Sequence, residues 1–342
     1  SRSCAGRQPD KDADLVSALR AAGAILPGKT ATTEFAYLDK TVTRNPHNLA
    51  HSPGGSSSGS AAAIAAGQIP LAIGTQTGGS VIRPASYCGV FGMKPSFGSI
   101  SRAGVLQTSQ TLDQVGVFAS TLTGIGRLCD VIMTGAEGMM QATQSACDNP
   151  RCLVFDGLYD GVVESGAQDA VSSVTASLGA AVTHIPAPEM IASYLAGHKA
   201  VYHVELAQNL GAICDAKSAL VGPAAKATVA IGRTHHSDVY DAAQGMRVRA
   251  IADLSSYFTS YDVLITPAAT SEAPLFDDGT GNPTCNALWS FVGFPCITLP
   301  LATGPTGLPV GVQLIGAMGA DKKLLQIAKW LLDTYHDSRS AT

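Results

Sequence analysis

The chain has 342 residues, 46% of them apolar and only 14% charged, with a formal net charge of −4. Ordinary globular chains carry about 25% charged residues, so a large core with little charged surface is expected, in one large or two ordinary domains. A slightly acidic chain without Lys/Arg runs has no electrostatic footprint for nucleic acid or an acidic membrane, and no apolar run nears the ~20 residues of a membrane span.

Residues 12–22 (DADLVSALRAA) begin with a capping aspartate, carry apolar residues at 15, 16, 19 and 22 and stop at Gly23, which predicts an amphipathic helix. Residues 24–26 are expected to form a short strand. Residues 44–59 (RNPHNLAHSPGGSSSG) are loop by their prolines and glycines. The alanine-rich residues 60–66 predict a helix stopped by Gly67, and residues 69–73 a buried strand. Residues 75–80 (TQTGGS) form a second glycine loop. Further strands are predicted at 152–155, 263–266 and 310–315. Residues 136–150 read as a loop, and residues 321–335 as a helix packed on the core by positions 324, 327, 328, 331 and 335. Strands and helices intermix throughout without an internal repeat, which favours a single α/β domain.

Eight cysteines include no CxxC pair, so neither a zinc site nor another metal centre is expected. Cys147 and Cys152 flank CDNPRC and could bridge, but free thiols in a reducing, cytoplasmic setting are the expectation.

The helix–strand unit between the two glycine loops returns on itself. An eight-residue helix advances ~12 Å, and the strand after it runs back ~17–20 Å. Ser56 and Ser80, 24 positions apart, can therefore be neighbours. Two glycines before Ser80 allow the N–H groups at 78, 79 and 80 to converge, a geometry that stabilises an oxyanion. Ser80 would supply a nucleophile there, but a serine hydroxyl needs a base. His47 and His51 lie nearby in sequence without a partner motif.

Residues 54–98, GGSSSGSAAAIAAGQIPLAIGTQTGGSVIRPASYCGVFGMKPSFG, closely resemble the amidase signature family. The likeness extends to AGAILPGKTATTEFA (22–36), TLDQVGVFA (111–119), YDVLITPA (261–268) and GLPVGVQLIG (307–316). It implies a twisted mixed β-sheet covered by helices, a domain spanning 1–342 with its signature core at about 22–119, and no cofactor. It also implies a Ser–cis-Ser–Lys triad that cleaves carboxamides through an acyl-enzyme. Ser80 would be the nucleophile, Ser56 the serine held by a cis peptide, and Thr77, Gly78, Gly79 and Ser80 the oxyanion hole. The family's lysine lies far upstream of the cis-serine. Counting back passes Ser1, so the lysine is expected upstream of this chain, whose N-terminal segment is expected to be missing. Lys29, in the GKT turn, and Lys94, in GMKPS, are not given that role.

The expected partner is a small amide, with no nucleic acid and no membrane, and a homodimer is compatible with the family. Two alternatives stand beside a free-standing amidase. One is an amidotransferase A-type subunit that works on aminoacyl-tRNA, although such subunits read DTGGSIRQP where this chain has QTGGSVIRP. The other is a non-catalytic amide-binding relative.

Other features have plainer readings. GSSSG (55–59) matches the hydrolase elbow GxSxG with Ser57 at its tip, but no strand precedes it. Ser57 and Ser58 are expected to hydrogen-bond within the loop. Arg83 would either bind a substrate carboxylate or order the loop through an aspartate such as Asp113. HVE (203–205) lacks the PCxxC of zinc deaminases, and His235-His236 should end a solvated helix. Trp289, Phe291 and Phe294 fit a pocket or the core equally well. Cys88 reads as a small buried hydrophobe.

Overall fold

The structure, a computed structural model, describes residues 1–340. In chain order it contains α1 (Asp14–Ala21), α2 (Ser58–Ala65), β1 (Leu71–Gln76), α3 (Ile82–Cys88), β2 (Phe91–Lys94), β3 (Gln114–Ala119), α4 (Leu122–Ile132) and α5 (Met139–Ala142). There follow β4 (Cys152–Asp156), α6 (Ser165–Leu178), β5 (Val182–Pro186), α7 (Ile191–Ala216), α8 (Pro223–Thr234) and α9 (Ser237–Tyr257). The last elements are β6 (Val263–Pro267), α10 (Thr284–Val292), β7 (Cys296–Thr303), β8 (Pro309–Ile315) and α11 (Asp321–Ser340).

Among the described residues, all eight strands join one sheet in the order β1-β3-β2-β7-β8-β6-β4-β5. Pairing is antiparallel from β1 through β8 to β6, then parallel for β6–β4 and β4–β5. Successive side chains of a strand point to opposite faces, and both faces here are apolar. Cys152 and Val154 of β4, Val263 and Ile265 of β6, and Val115 and Val117 of β3 enter one core with Leu325 and Leu331 of α11. Leu153, Phe155 and Leu264 enter the other, against Val201 of α7, Ala250 and Leu254 of α9, and Leu288 and Trp289 of α10. Helices therefore cover a mixed sheet on both sides, which is the α/β class expected.

The elements with the strongest local signals are all present: the first helix, the strands at 152–155, 263–266 and 310–315, and the tail helix. The first helix starts at Asp14 after Ala13, without the aspartate cap expected, because Asp12 instead accepts from Arg20. Residues 24–26 are not a strand: Ala24 N–H closes α1 by bonding Leu19 O, and Ile25 lies 91% exposed with no neighbouring strand. The helix expected at 60–66 begins two residues earlier, at Ser58. β1 runs to Gln76 rather than ending at 73, because β3 offers it a partner as far as Gln114. The second glycine loop is thus only residues 77–80. Residues 136–150 hold the short helix α5, whose first amides, of Met139 and Met140, bond the Asp130 carboxylate. All eight cysteines are free. Among the described residues, no helix is long and apolar enough to cross a membrane.

The two histidines at 235–236 differ. His236 is exposed, whereas His235 stacks on His203 of α7 with ring centroids 5.9 Å apart. Glu205, the other end of HVE, is fully buried and accepts from Ser109 Oγ, Thr111 N and Oγ1, and Tyr240 OH. Burial, reinforced by Lys199, His235 and His198, pulls the His203 pKa down to about 4. An unfolded imidazole titrates near ~6.5. The unfolded chain therefore binds more protons between these values, and stability present above pH ~6.5 is lost as pH falls toward the folded value. The melting temperature is expected to drop between pH 7 and pH 4.5, and to drop less in His203→Asn. Equal slopes in the two proteins would mean that His203 does not cause the drop.

Candidate active site

The first glycine loop is held in place before α2 begins. Ser58 Oγ donates to Gly54 O (2.7 Å), and Ser57 Oγ donates to Thr75 O and accepts from Thr75 N, both at 3.3 Å. These bonds tie the loop to the end of β1, so Ser57 and Ser58 are loop-bonding residues. The segment before Ser57 is coil, and the strand that an elbow requires is absent from it. From the other side Thr32 Oγ1 (2.9 Å) and Thr33 N (3.1 Å) both donate to Ser56 O. The peptide bond between Gly55 and Ser56 is cis. Ser56 Oγ is buried and has no hydrogen-bond partner among the described residues.

Residues 77–80 make the turn from β1 into α3. Thr77 Oγ1 donates to Asp113 Oδ1 (2.5 Å), and Gln76 Oε1 accepts from Val81 N (2.8 Å) and Ile82 N (3.0 Å). Asp113 also accepts from Thr108 Oγ1, Thr108 N and Ser109 N. Burial raises its pKa, and these four hydrogen bonds, led by Thr77, oppose that rise. Ser80 is half-buried. Among the described residues its hydroxyl and the amides of Gly78, Gly79 and Ser80 donate to no acceptor.

Arg83 joins the two loops. Its Nη2 donates to Gly55 O (2.7 Å), and its backbone N–H to Gly79 O (3.0 Å). A Cβ at Gly79 would collide with Asn286 Oδ1 and stand 3.0 Å from Arg83 Nη1, so only glycine admits this approach. Arg83 thus bonds the residues preceding Ser56 and Ser80, Gly55 through its guanidinium and Gly79 through its backbone N–H. The expected Arg83–Asp113 contact is not made: each orders a different loop, Arg83 at Gly55 and Asp113 at Thr77. Arg83 is 2% exposed, which removes it from the surface a substrate carboxylate would reach.

The other candidates are accounted for by their partners. His47 Nε2 donates to Cys88 O (3.0 Å) and His51 Nδ1 to Ala273 O (2.6 Å), since a carbonyl only accepts. Cys88 is buried, its thiol bonds Pro53 O, and burial pushes its pKa up. Trp289, Phe291 and Phe294 are fully buried core residues. Lys29 is exposed. Lys94 is fully buried, and its Nζ donates to Phe294 O (2.5 Å), Gln114 Oε1 (2.9 Å) and Pro95 O (3.4 Å). Three acceptors match the three protons of an ammonium, although burial lowers its pKa.

Two residues of the site's surroundings had no sequence signal. His198 of α7 and Ser290 of α10 both bond carbonyls of the 77–80 turn, across 121 and 212 residues. Among the described residues no group of three His, Cys, Asp or Glu could hold a metal ion.

The amidase family model matches residues 1–152 and 182–325. The chain belongs to the amidase family. It is 32% identical to the A-type subunit of glutamyl-tRNA(Gln) amidotransferase from Symbiobacterium thermophilum over 387 aligned positions, covering 96% of this chain and 78% of that protein. The structure of 6-aminohexanoate cyclic dimer hydrolase complexed with substrate superposes with a TM-score of 0.83 at 26% identity, covering 96% of this chain and 79% of that one. Native peptide amidase from Stenotrophomonas maltophilia gives 0.78 at 25% identity, with 97% and 78% covered. Family and neighbours together support an amide-cleaving enzyme.

Replacing Lys94 by Met would strand three buried carbonyl acceptors and is expected to cost about 3 kcal/mol of stability. The urea unfolding midpoint measures this. The folded protein should keep its reactivity toward a serine-directed fluorophosphonate, because Lys94 is engaged elsewhere; loss of that reactivity in a folded variant would make Lys94 a base.

Proposed function

We propose that the protein hydrolyses a carboxamide through an acyl-enzyme on Ser80. The observation that carries this reading is the pairing of a buried, unpartnered Ser56 hydroxyl with a turn whose three successive amides are free. Ser80 Oγ attacks the amide carbon, and its proton passes to Ser56 Oγ as Ser56 gives its own to a neutral amine. The family resemblance makes that amine a lysine. The carbonyl oxygen gains negative charge and is met by the N–H groups of Gly78, Gly79 and Ser80, donors worth ~2.7–4 kcal/mol each in such sites. The proton returns to the leaving nitrogen as the C–N bond breaks. Water then attacks the ester, its proton taking the same route, and the carboxylate leaves.

A second reading, an amidotransferase A-type subunit that draws ammonia from an amide, is favoured by the curated relatives. It shares every step up to the leaving of ammonia. Gln76 stands where those subunits carry aspartate, and this departure in sequence favours the free-standing amidase.

A fluorophosphonate is expected to label Ser80, located by peptide mass spectrometry. Ser80→Ala should abolish labelling, and Ser56→Ala should slow it by about 100-fold, the scale of one lost proton-transfer group. Label on Ser57 would overturn the assignment. Ammonia release from small amides, compared with release from glutamine alone, separates the two readings.

A further inference from the structure

An oxyanion hole built from backbone amides needs its peptides held in one orientation, and here that orientation is set from far away in the chain. Thr77 O accepts from His198 Nε2 at 3.0 Å, and the next carbonyl, Gly78 O, accepts from Ser290 Oγ at 2.7 Å. Ser290 Oγ in turn accepts from Gln76 Nε2 at 3.0 Å. His198 is 7% exposed and Ser290 fully buried, so water does not compete freely for either bond. Because a carbonyl can only accept, His198 carries its proton on Nε2. Burial lowers its pKa, which favours the neutral ring with that tautomer.

In a planar trans peptide the N–H points opposite to the C=O, and the only cis bond among the described residues is Gly55–Ser56. Capturing Thr77 O therefore turns the Gly78 N–H away from α7. Capturing Gly78 O turns the Gly79 N–H away from Ser290. These are two of the amides that bond nothing among the described residues. With glycine at 78 and 79, local sterics do not forbid the flipped peptides, so the choice falls to the carbonyl donors.

We propose that His198 and Ser290 are positioning residues, a pair of carbonyl clamps that aim the Gly78 and Gly79 amides at the developing oxyanion. This rests on the acyl-enzyme reading above. Neither side chain touches the reacting atoms; each acts through a backbone peptide.

The test is the second-order rate of fluorophosphonate labelling at Ser80, with melting temperature measured alongside. His198→Phe and Ser290→Ala are each expected to slow labelling by about 10- to 100-fold, somewhat less than outright deletion of an oxyanion donor. His198→Gln keeps an N–H that can reach Thr77 O and should recover most of the rate; a purely space-filling role would be served as well by Phe. On an amide substrate the loss should appear in kcat with KM little changed. Should His198→Phe fail to fold, Ser290→Ala, which removes a single oxygen, decides. The clamp is overturned if folded Ser290→Ala labels at the rate of the unaltered protein, or if His198→Gln is as slow as His198→Phe. Failure of the unaltered protein to label at Ser80 would instead overturn the acyl-enzyme reading, and the clamp with it.

Discussion

A guanidinium buried without a carboxylate holds this site together. Taking a charge out of water costs several kcal/mol unless other groups compensate, and burial lowers the Arg83 pKa accordingly. Its Nη2 finds the Gly55 carbonyl, while its Nε and Nη1 find no partner among the described residues. The return for that cost is position. Arg83 reaches both glycine loops, so the residue before Ser56 and the residue before Ser80 are held to a common point.

Around that point the protein uses buried carboxylates as multiple acceptors rather than as members of ion pairs. Asp113 gathers Thr77, Thr108 and Ser109, and Glu205 on α7 gathers Ser109, Thr111 and Tyr240. The 108–113 segment lies between the two, tied to the turn on one side and to α7 on the other. Since α7 also carries His198, one long helix reaches the 77–80 turn directly through the Thr77 carbonyl and indirectly through Asp113. A polar network of this kind is stable only when its members are satisfied, which makes the turn's geometry a property of the whole assembly.

Ser56 shares with Arg83 a buried polar atom that the network leaves without a partner among the described residues. The Ser56 carbonyl takes three donors, from residues 32, 33 and 58, yet among the described residues its hydroxyl takes none. Buried hydroxyls without partners are uncommon, and the relay proposed for Ser56 rests on this one.

The amino-acid sequence by itself determined the local features from which the proposed site is built. The GGSSSG and TGGS loops, their 24-residue spacing and the alanine-rich helix between them are local features. It also determined the strands whose apolar runs are unambiguous, such as 263–266 and 310–315. Tertiary structure decided the rest. Residues 24–26 had strand character but no neighbour to pair with, and β1 extended only because β3 lay beside it. Arg83 could not be assigned to Gly55 rather than Asp113 from spacing. The bonds of His198 and Ser290 to two consecutive carbonyls join positions 121 and 212 residues apart. Contacts of that range leave no periodicity in the sequence, because they depend on how α7 and α10 pack on the sheet rather than on the residues beside them.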